Sequence, residues 1–259
     1  MLLTKKLTDM GPLAGRHAME LALFLDVDGT VLEIASTPDA VVVDPATPAL
    51  LTQLHAITGG AVALISGRSI ADLDRLFPGL ALPSAGQHGA ELREVDAHNA
   101  LTGDEEPWRI LRTQALKVQR AHPRLLVEDK GRSIAIHYRR HPELAALARR
   151  LALYLAGQGK GKFVVQQGHC VEEIKSADVN KGRAIARMME RPPFQGRLPI
   201  FIGDDVTDED AFCVVNQLGG LSIKVGFGPT AAPWRLRDPS AVHDWLKLLH
   251  ASFDANRTV

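Results

Sequence analysis

Residues 21 to 30 read Leu-Ala-Leu-Phe-Leu-Asp-Val-Asp-Gly-Thr. Five apolar residues lead straight into two aspartates one residue apart and then a Gly-Thr turn, the pattern of a buried parallel strand whose carboxyl end carries chemistry. In an extended segment alternate residues point the same way, so Asp26 and Asp28 lean toward one ligand if strand geometry persists through Val27. Two carboxylates that close repel each other unless a cation or a shared proton sits with them. Asp-Gly after a strand is also an ordinary turn. The weight of the stretch therefore depends on partners supplied elsewhere in the chain.

Downstream of this strand, Thr47-Pro48 reads as a helix N-cap with proline in the first turn, and Leu50, Leu51, Leu54 and Ile57 keep helical spacing. Ala61 to Ile65 is a second apolar strand, followed at once by Ser66-Gly67-Arg68-Ser69 and a helical stretch through Ile70, Leu73 and Leu76. Alternating strands and helices of this length predict right-handed crossovers and a parallel sheet. Ligands of such sheets bind beyond the carboxyl ends of the strands, which places Ser66 on the same crevice as Asp26 and Asp28. Ser66 equally suits a helix N-cap. His88 and Glu91 lie by a glycine-flanked turn between two short strands in residues 80 to 93.

From about residue 95 the pattern changes to helix, strand, strand, twice over. Helices are predicted over 108–122 and 143–156, and strands over 125–128, 134–138, 163–166 and 170–174. Leu144, Leu147, Leu151 and Leu155 mark the expected apolar face of the second helix. Hairpins beside helices indicate an antiparallel sheet in a separate inserted module. The expected organisation is a core of residues 1–94 and 173–259 interrupted by an inserted domain of residues 95–172.

The parallel pattern then resumes. Asn180-Lys181-Gly182-Arg183 opens a helix, and the strand 198–202 ends in Gly203-Asp204-Asp205-Val206-Thr207-Asp208-Glu209-Asp210. Acids at a helix start are favoured by its dipole, which accounts for Asp208 and Glu209. It does not account for Asp204 and Asp205, which directly follow an apolar strand. With Asp26 and Asp28 they supply the hard oxygen ligands that suit Mg²⁺. Lys181, at a helix start, adds a positive charge and free N–H groups for an anion.

Composition narrows the alternatives. Lys plus Arg and Asp plus Glu are each 30, so no global field draws the chain to nucleic acid or an anionic membrane, and neither is expected as a partner. Cys170 and Cys213 form no CxxC arrangement, which argues against a zinc site or a disulfide framework. The polar amino terminus is unlike a signal peptide and no apolar run approaches a membrane span. A cytoplasmic monomer acting on a small molecule is expected.

These stretches resemble the haloacid dehalogenase superfamily of phosphotransferases. Asp26-Val27-Asp28-Gly29-Thr30 is similar to its first motif, Ile65-Ser66-Gly67-Arg68 to its second, Lys181 to its third and Gly203-Asp204-Asp205-Val206-Thr207-Asp208 to its fourth. The resemblance implies a Rossmann-like α/β core with an inserted α+β cap. It makes Asp26 the nucleophile and Asp28 the acid and base. Asp26, the main-chain carbonyl of Asp28 and Asp204 become Mg²⁺ ligands, Asp205 and Asp208 support the metal, and Ser66 and Lys181 grip phosphate.

Across nearly the whole chain the sequence is closer still to the trehalose-6-phosphate phosphatase family, through the stretches 63–69, 86–91, 134–139, 166–175, 181–182, 202–209 and 214–225. That resemblance implies trehalose 6-phosphate as substrate. It suggests Lys130, Arg132, His169 and Glu173 of the cap as substrate contacts, with Gly29, Gly67, Arg68, His88 and Glu91 nearer the core. His169 stands where many relatives carry lysine, and Ser176 where proline is usual. Two alternatives share these motifs: a phosphatase for another sugar phosphate, such as sucrose or mannosylglycerate phosphate, and a non-catalytic sugar-phosphate binding subunit.

Overall fold

The computed structural model describes residues 13, 15–35, 41–94, 97–100, 105–131, 133–168 and 170–254. The chain divides into two units, Met1–Ala100 with Asn180–Val259, and Leu101–Val179.

The first unit opens with β1 (Leu21–Leu25), α1 (Ala46–Ile57), β2 (Val62–Ile65), α2 (Ile70–Leu76), β3 (Ser84–Gly86), β4 (Glu91–Glu94) and β5 (Ala97–Ala100). The second carries α3 (Glu105–Ala121), β6 (Leu126–Asp129), β7 (Ser133–His137), α4 (Ala145–Gly157), β8 (Phe163–Gly168) and β9 (Val171–Ser176). The first unit resumes with α5 (Lys181–Met189), β10 (Leu198–Gly203), α6 (Glu209–Gln217), β11 (Leu221–Val225), β12 (Trp234–Leu236) and α7 (Pro239–Asp254).

The first unit holds an eight-stranded sheet in the order β12-β11-β10-β1-β2-β3-β4-β5. The strands from β12 to β3 run parallel, with Leu21–Leu25 of β1 in register with Leu198–Ile202 of β10. Every residue of β1, β2, β10 and β11 is buried, as expected when helices cover both faces of a parallel sheet. On one face Leu21, Leu23 and Leu25 cluster with Leu50, Leu51 and Leu54 of α1 and with Val242, Trp245 and Leu246 of α7. On the other, Phe24 stacks on Phe194 with ring centroids 5.1 Å apart, and Phe201 meets Phe212 of α6 at 5.4 Å. With both faces sealed, the strand ends are the ground left for a site.

Two details depart from the sequence reading of this unit. The first is the start of α1, at Ala46, where Asp44 Oδ1 accepts the Ala46 N–H at 2.9 Å. Thr47 therefore lies inside the helix and is no N-cap. Asp44 takes over because an acceptor two residues before the first helical N–H is well placed for it. The second is at the sheet edges, where β5 and β12 extend the sheet beyond the strands expected from sequence. Strands of three and four residues are too short for a period to be read from the sequence.

In the second unit the four strands run β6-β7-β9-β8, all neighbours antiparallel. Ile134, Ile136 and Ile174 pack against Trp108, Leu111 and Ala115 of α3 and against Ala148, Ala152 and Leu155 of α4. Trp108 meets Phe163 edge to face at 4.8 Å. The deepest α4 positions are thus Ala148, Ala152 and Leu155, with Leu147 and Leu151 only partly buried. The two small side chains let the helix axis approach the sheet while Leu147 and Leu151 pack at the flanks. β9 pairs along its whole length within this sheet, so the unit extends past residue 172.

Among the described residues, no helix is long and apolar enough to cross a membrane. Both cysteines are free.

Candidate active site

β2, β1 and β10 lie side by side and parallel, so Ser66, Asp26 and Asp204 leave the sheet at one carboxyl edge. The Asp26 N–H donates to Ile202 O at 3.0 Å, which continues the sheet bonding into the first aspartate. The chain then turns back on itself, with the N–H groups of Val31 and Leu32 both donating to Val27 O. Gly29 sits in this turn at φ 78°, and a side chain there would strike the Asp204 carboxylate. The Thr30 hydroxyl lies 3.3 Å from Asp26 Oδ2 and 3.5 Å from Asp204 Oδ1, tying the two strand ends together.

Lys181 enters from the start of α5, whose N-cap Asn180 accepts the Arg183 N–H at 2.8 Å. Its Nζ donates to Asp26 Oδ1 at 2.7 Å and to Asp208 Oδ1 at 2.6 Å, with all three side chains buried. Asp208 is fixed in turn by the Asp205 N–H, which donates to its Oδ2 at 2.9 Å. The Asp205 carboxylate itself faces Thr207, whose hydroxyl donates to Oδ2 at 3.4 Å.

Burial dominates the electrostatics. It pushes the Asp26 carboxyl up to about 6 against the pull of Lys181, with Asp204 adding to the rise. Burial and then the Asp26 charge push Asp208 up to about 6, and burial raises Asp204 as well. Burial also works against the Lys181 ammonium, but Asp26 and Asp208 outweigh it and hold its pKa above the ordinary lysine value. Asp26, Asp204 and Asp208 each offer an oxygen within 4.8 Å of the others. Three carboxylates against one ammonium leave net negative charge away from water, so a cation is favoured there. The all-oxygen donor set suits a hard divalent ion.

The remaining core residues divide by partner. Asp28 accepts both arms of Arg68, Nε to Oδ2 at 2.6 Å and Nη2 to Oδ1 at 2.7 Å, so its side chain lies outside the acid cluster. Ser66 is buried, and its Oγ accepts the Arg68 N–H at 3.1 Å. Gly67 lies against the His88 ring. Glu91 is engaged within the protein, by the Ile70 N–H and the Gln87 amide, each at 2.7 Å.

In the second unit Glu173 accepts from the Ser133 hydroxyl, and Lys130 Nζ lies 3.7 Å from it. Strand alternation places Lys130, Ser133 and Glu173 on the sheet face away from α3 and α4. Arg132 and His169 lie outside the described residues.

Two neighbours of the acid cluster and one buried ion pair escaped the sequence reading. Lys224 is buried in β11 and donates from Nζ to the main-chain carbonyl of Asp204. A lysine inside the apolar run Leu-Ser-Ile-Lys-Val was the available signal. The Thr30 bridge had no signal beyond its place in the first motif. Glu172, next to Glu173, is buried on the opposite face and pairs with Arg149 of α4 at 2.7 Å.

With a carboxylate, a lysine and an acid turn gathered at the strand ends, the family model described as trehalose-phosphatase matches residues 24–240. The chain belongs to the trehalose-phosphatase family. It is therefore a phosphoric monoester hydrolase. Its similarity extends to trehalose-6-phosphate phosphatase of Escherichia coli, 39% identical over 98% of this chain and 94% of the relative. A probable trehalose-phosphate phosphatase of Sinorhizobium fredii is 44% identical over 79% of this chain and 77% of its own. Among solved structures, the trehalose-6-phosphate phosphatase of Aspergillus fumigatus superposes with a TM-score of 0.71 at 28% identity, covering 90% of this chain and 93% of the other.

Proposed function

We propose that this trehalose-phosphatase hydrolyses trehalose 6-phosphate to trehalose and inorganic phosphate through an aspartyl phosphate on Asp26. The observation that carries the reading is the buried contact of Lys181 with Asp26 and Asp208 at the end of β1. Lys181 holds the nucleophile by Oδ1 and presents positive charge where phosphate oxygens must settle. An Asp26 oxygen attacks phosphorus as the ester P–O bond breaks, and the electron pair leaves on the sugar oxygen. Asp28 delivers a proton to that oxygen, since an alkoxide is a poor leaving group and a placed acid is worth about 10²- to 10⁴-fold. Asp28 then takes a proton from the water that cleaves the acyl phosphate and regenerates Asp26.

Both oxygens of Asp28 are held by Arg68 in this structure, so Asp28 must leave that pair before it can serve as the acid. Ser66 contributes a hydroxyl to the phosphate. Asp26, the main-chain carbonyl of Asp28 and Asp204 are the groups that would hold Mg²⁺, with Asp208 in support, and the ion would neutralise charge on the phosphoryl oxygens when bound. Lys130 and Glu173 are the cap side chains proposed for the sugar hydroxyls. The test is phosphate release from a panel of sugar phosphates, with Mg²⁺ and with excess chelator. A strong, metal-dependent preference for trehalose 6-phosphate is expected. Equal hydrolysis of many sugar phosphates would sink the substrate assignment, and no release from any would sink the reaction.

A further inference from the structure

The turn from Gly86 to Glu91 contains two consecutive non-glycine residues in left-handed conformation, Gln87 at φ 48° and His88 at φ 58°. Such residues cost free energy and persist only where the surroundings over-determine them. Here the unusual backbone aims two N–H groups at the neighbouring loop. Gln87 N–H donates to Arg68 O at 2.8 Å and His88 N–H to Ser66 O at 2.9 Å, while the Ser66 N–H donates to Ala85 O at 2.8 Å. Main-chain groups of Ser66 and Arg68 are thus pinned by one short segment.

Side chains add to the hold. Glu91 Oε2 accepts the N–H of Ile70, the first residue of α2, and Oε1 accepts from Gln87 Nε2, each at 2.7 Å. One carboxylate therefore joins the turn to the helix that leaves the Ser66–Arg68 loop. The His88 ring covers Gly67 so closely that a β-carbon there would lie 2.8 Å from its Cε1. Both carboxylate oxygens of Glu91 are committed within the protein.

We infer that Gln87, His88 and Glu91 are positioning residues that hold the Ser66–Arg68 loop in its phosphate-binding shape, with Glu91 as their keystone rather than a sugar contact. The inference rests on the reading of Ser66 as a phosphate contact. A loop misplaced by about 1 Å costs on the order of 10²-fold in rate. Every phosphate ester should feel that loss alike, because the loop meets the phosphate and not the alcohol.

The experiment compares the wild-type protein with Glu91→Ala, Glu91→Gln and Gln87→Ala, using trehalose 6-phosphate and the small ester p-nitrophenyl phosphate, with Mg²⁺ present. Inhibition by inorganic phosphate and the thermal midpoint are recorded for each. Glu91→Ala should lower kcat/KM for both esters by the same factor, about 10- to 100-fold, and weaken phosphate inhibition. Glu91→Gln should recover part of the loss, since its amide oxygen can still accept from Ile70. Gln87→Ala removes one bond of the brace and should give a smaller, equally unselective loss, which keeps the test open if Glu91→Ala does not fold. A loss confined to trehalose 6-phosphate would make Glu91 a sugar contact and overturn the inference. Unchanged kinetics with both esters would overturn it as well. If the wild-type protein hydrolyses p-nitrophenyl phosphate but not trehalose 6-phosphate, the substrate assignment fails, while the small ester still decides the role of Glu91.

Discussion

The parallel-sheet unit and the antiparallel-sheet unit treat charge in opposite ways. In the first, an ammonium and three carboxylates gather at strand ends, with Lys181, Asp26 and Asp208 buried. In the second, Lys130, Glu173, Glu128 and His137 lie along the sheet face opposite to α3 and α4. The cause is sheet geometry. A parallel sheet needs helices on both faces to make its crossovers, so chemistry is confined to its carboxyl edge. An antiparallel sheet folds through hairpins and can leave one face open, where alternate side chains form a recognition surface. Removing a charge at the strand ends of the first unit should therefore damage both stability and turnover, and removing one from the face of the second unit away from its helices mainly selectivity.

The largest effect tests the edge itself. Asp26→Asn should reduce kcat by more than about 10⁴-fold, as loss of a nucleophile does, while phosphosugar binding measured by calorimetry persists. Substantial residual turnover would move the nucleophile elsewhere and dissolve the contrast between the units.

Lys181→Met keeps most of the side-chain volume but strands Asp26 and Asp208 without their counter-charge. Breaking a buried pair in this way costs about 3 to 5 kcal/mol, which urea unfolding of the metal-free protein should register. Metal should recover part of it, because a bound cation stabilises the folded state. Wild-type stability in this variant would mean that the acid cluster is not strained by its own charge.

Arg149→Leu is the matching cut in the second unit, leaving Glu172 buried without its partner. About 1 to 3 kcal/mol of stability should be lost, less than for Lys181, because the Arg149 side chain is 41% exposed and water can reach the pair. Turnover of trehalose 6-phosphate at low temperature should hardly change. Glu173→Ala, one residue along on the opposite face, should do the reverse. Its kcat/KM for trehalose 6-phosphate should fall about 10-fold, with the p-nitrophenyl phosphate rate and the thermal midpoint preserved. The same outcome for both variants would erase the distinction between the two faces of β9.

The smallest effect lies at α2, where Ser69 caps the helix by accepting the Asp72 N–H at 3.1 Å. Ser69→Ala should cost about 1 kcal/mol. The Ser69 hydroxyl, at 2.6 Å, lowers the Asp72 pKa below its ordinary 3.8. A lowered carboxyl pKa contributes stability that is present above the unfolded value and lost as pH falls through the folded one. The penalty of Ser69→Ala should therefore shrink below about pH 4, as acid titrations of the two proteins would reveal.

Much of this was legible in the chain. Apolar runs of four to six residues bounded by polar turns mark β1, β2, β10 and β11, because a strand buried on both faces can hold little else. The repeat of helix, strand, strand marked the second unit. Other features were out of reach. Leucines at helical spacing suggested the buried face of α4, and Leu155 is fully buried there, yet Ala148 and Ala152 lie as deep while Leu147 and Leu151 are only partly buried, since the closeness of helix to sheet is a property of the packed pair. Nor does spacing reveal that the Glu91 carboxylate accepts from Ile70 and Gln87, because a side chain's partner depends on which loops the sheet brings together.

Taken alone, the sequence determined the strands that end in acids, the residue types available at those ends and the change of pattern between them. These follow from local periodicity and from spacing along the chain. Only the tertiary structure decided that Lys181 bridges Asp26 and Asp208, that Arg68 takes Asp28, and that Arg149 pairs with Glu172. Those pairings join residues up to 155 positions apart. They depend on strand order and register, which no single segment encodes.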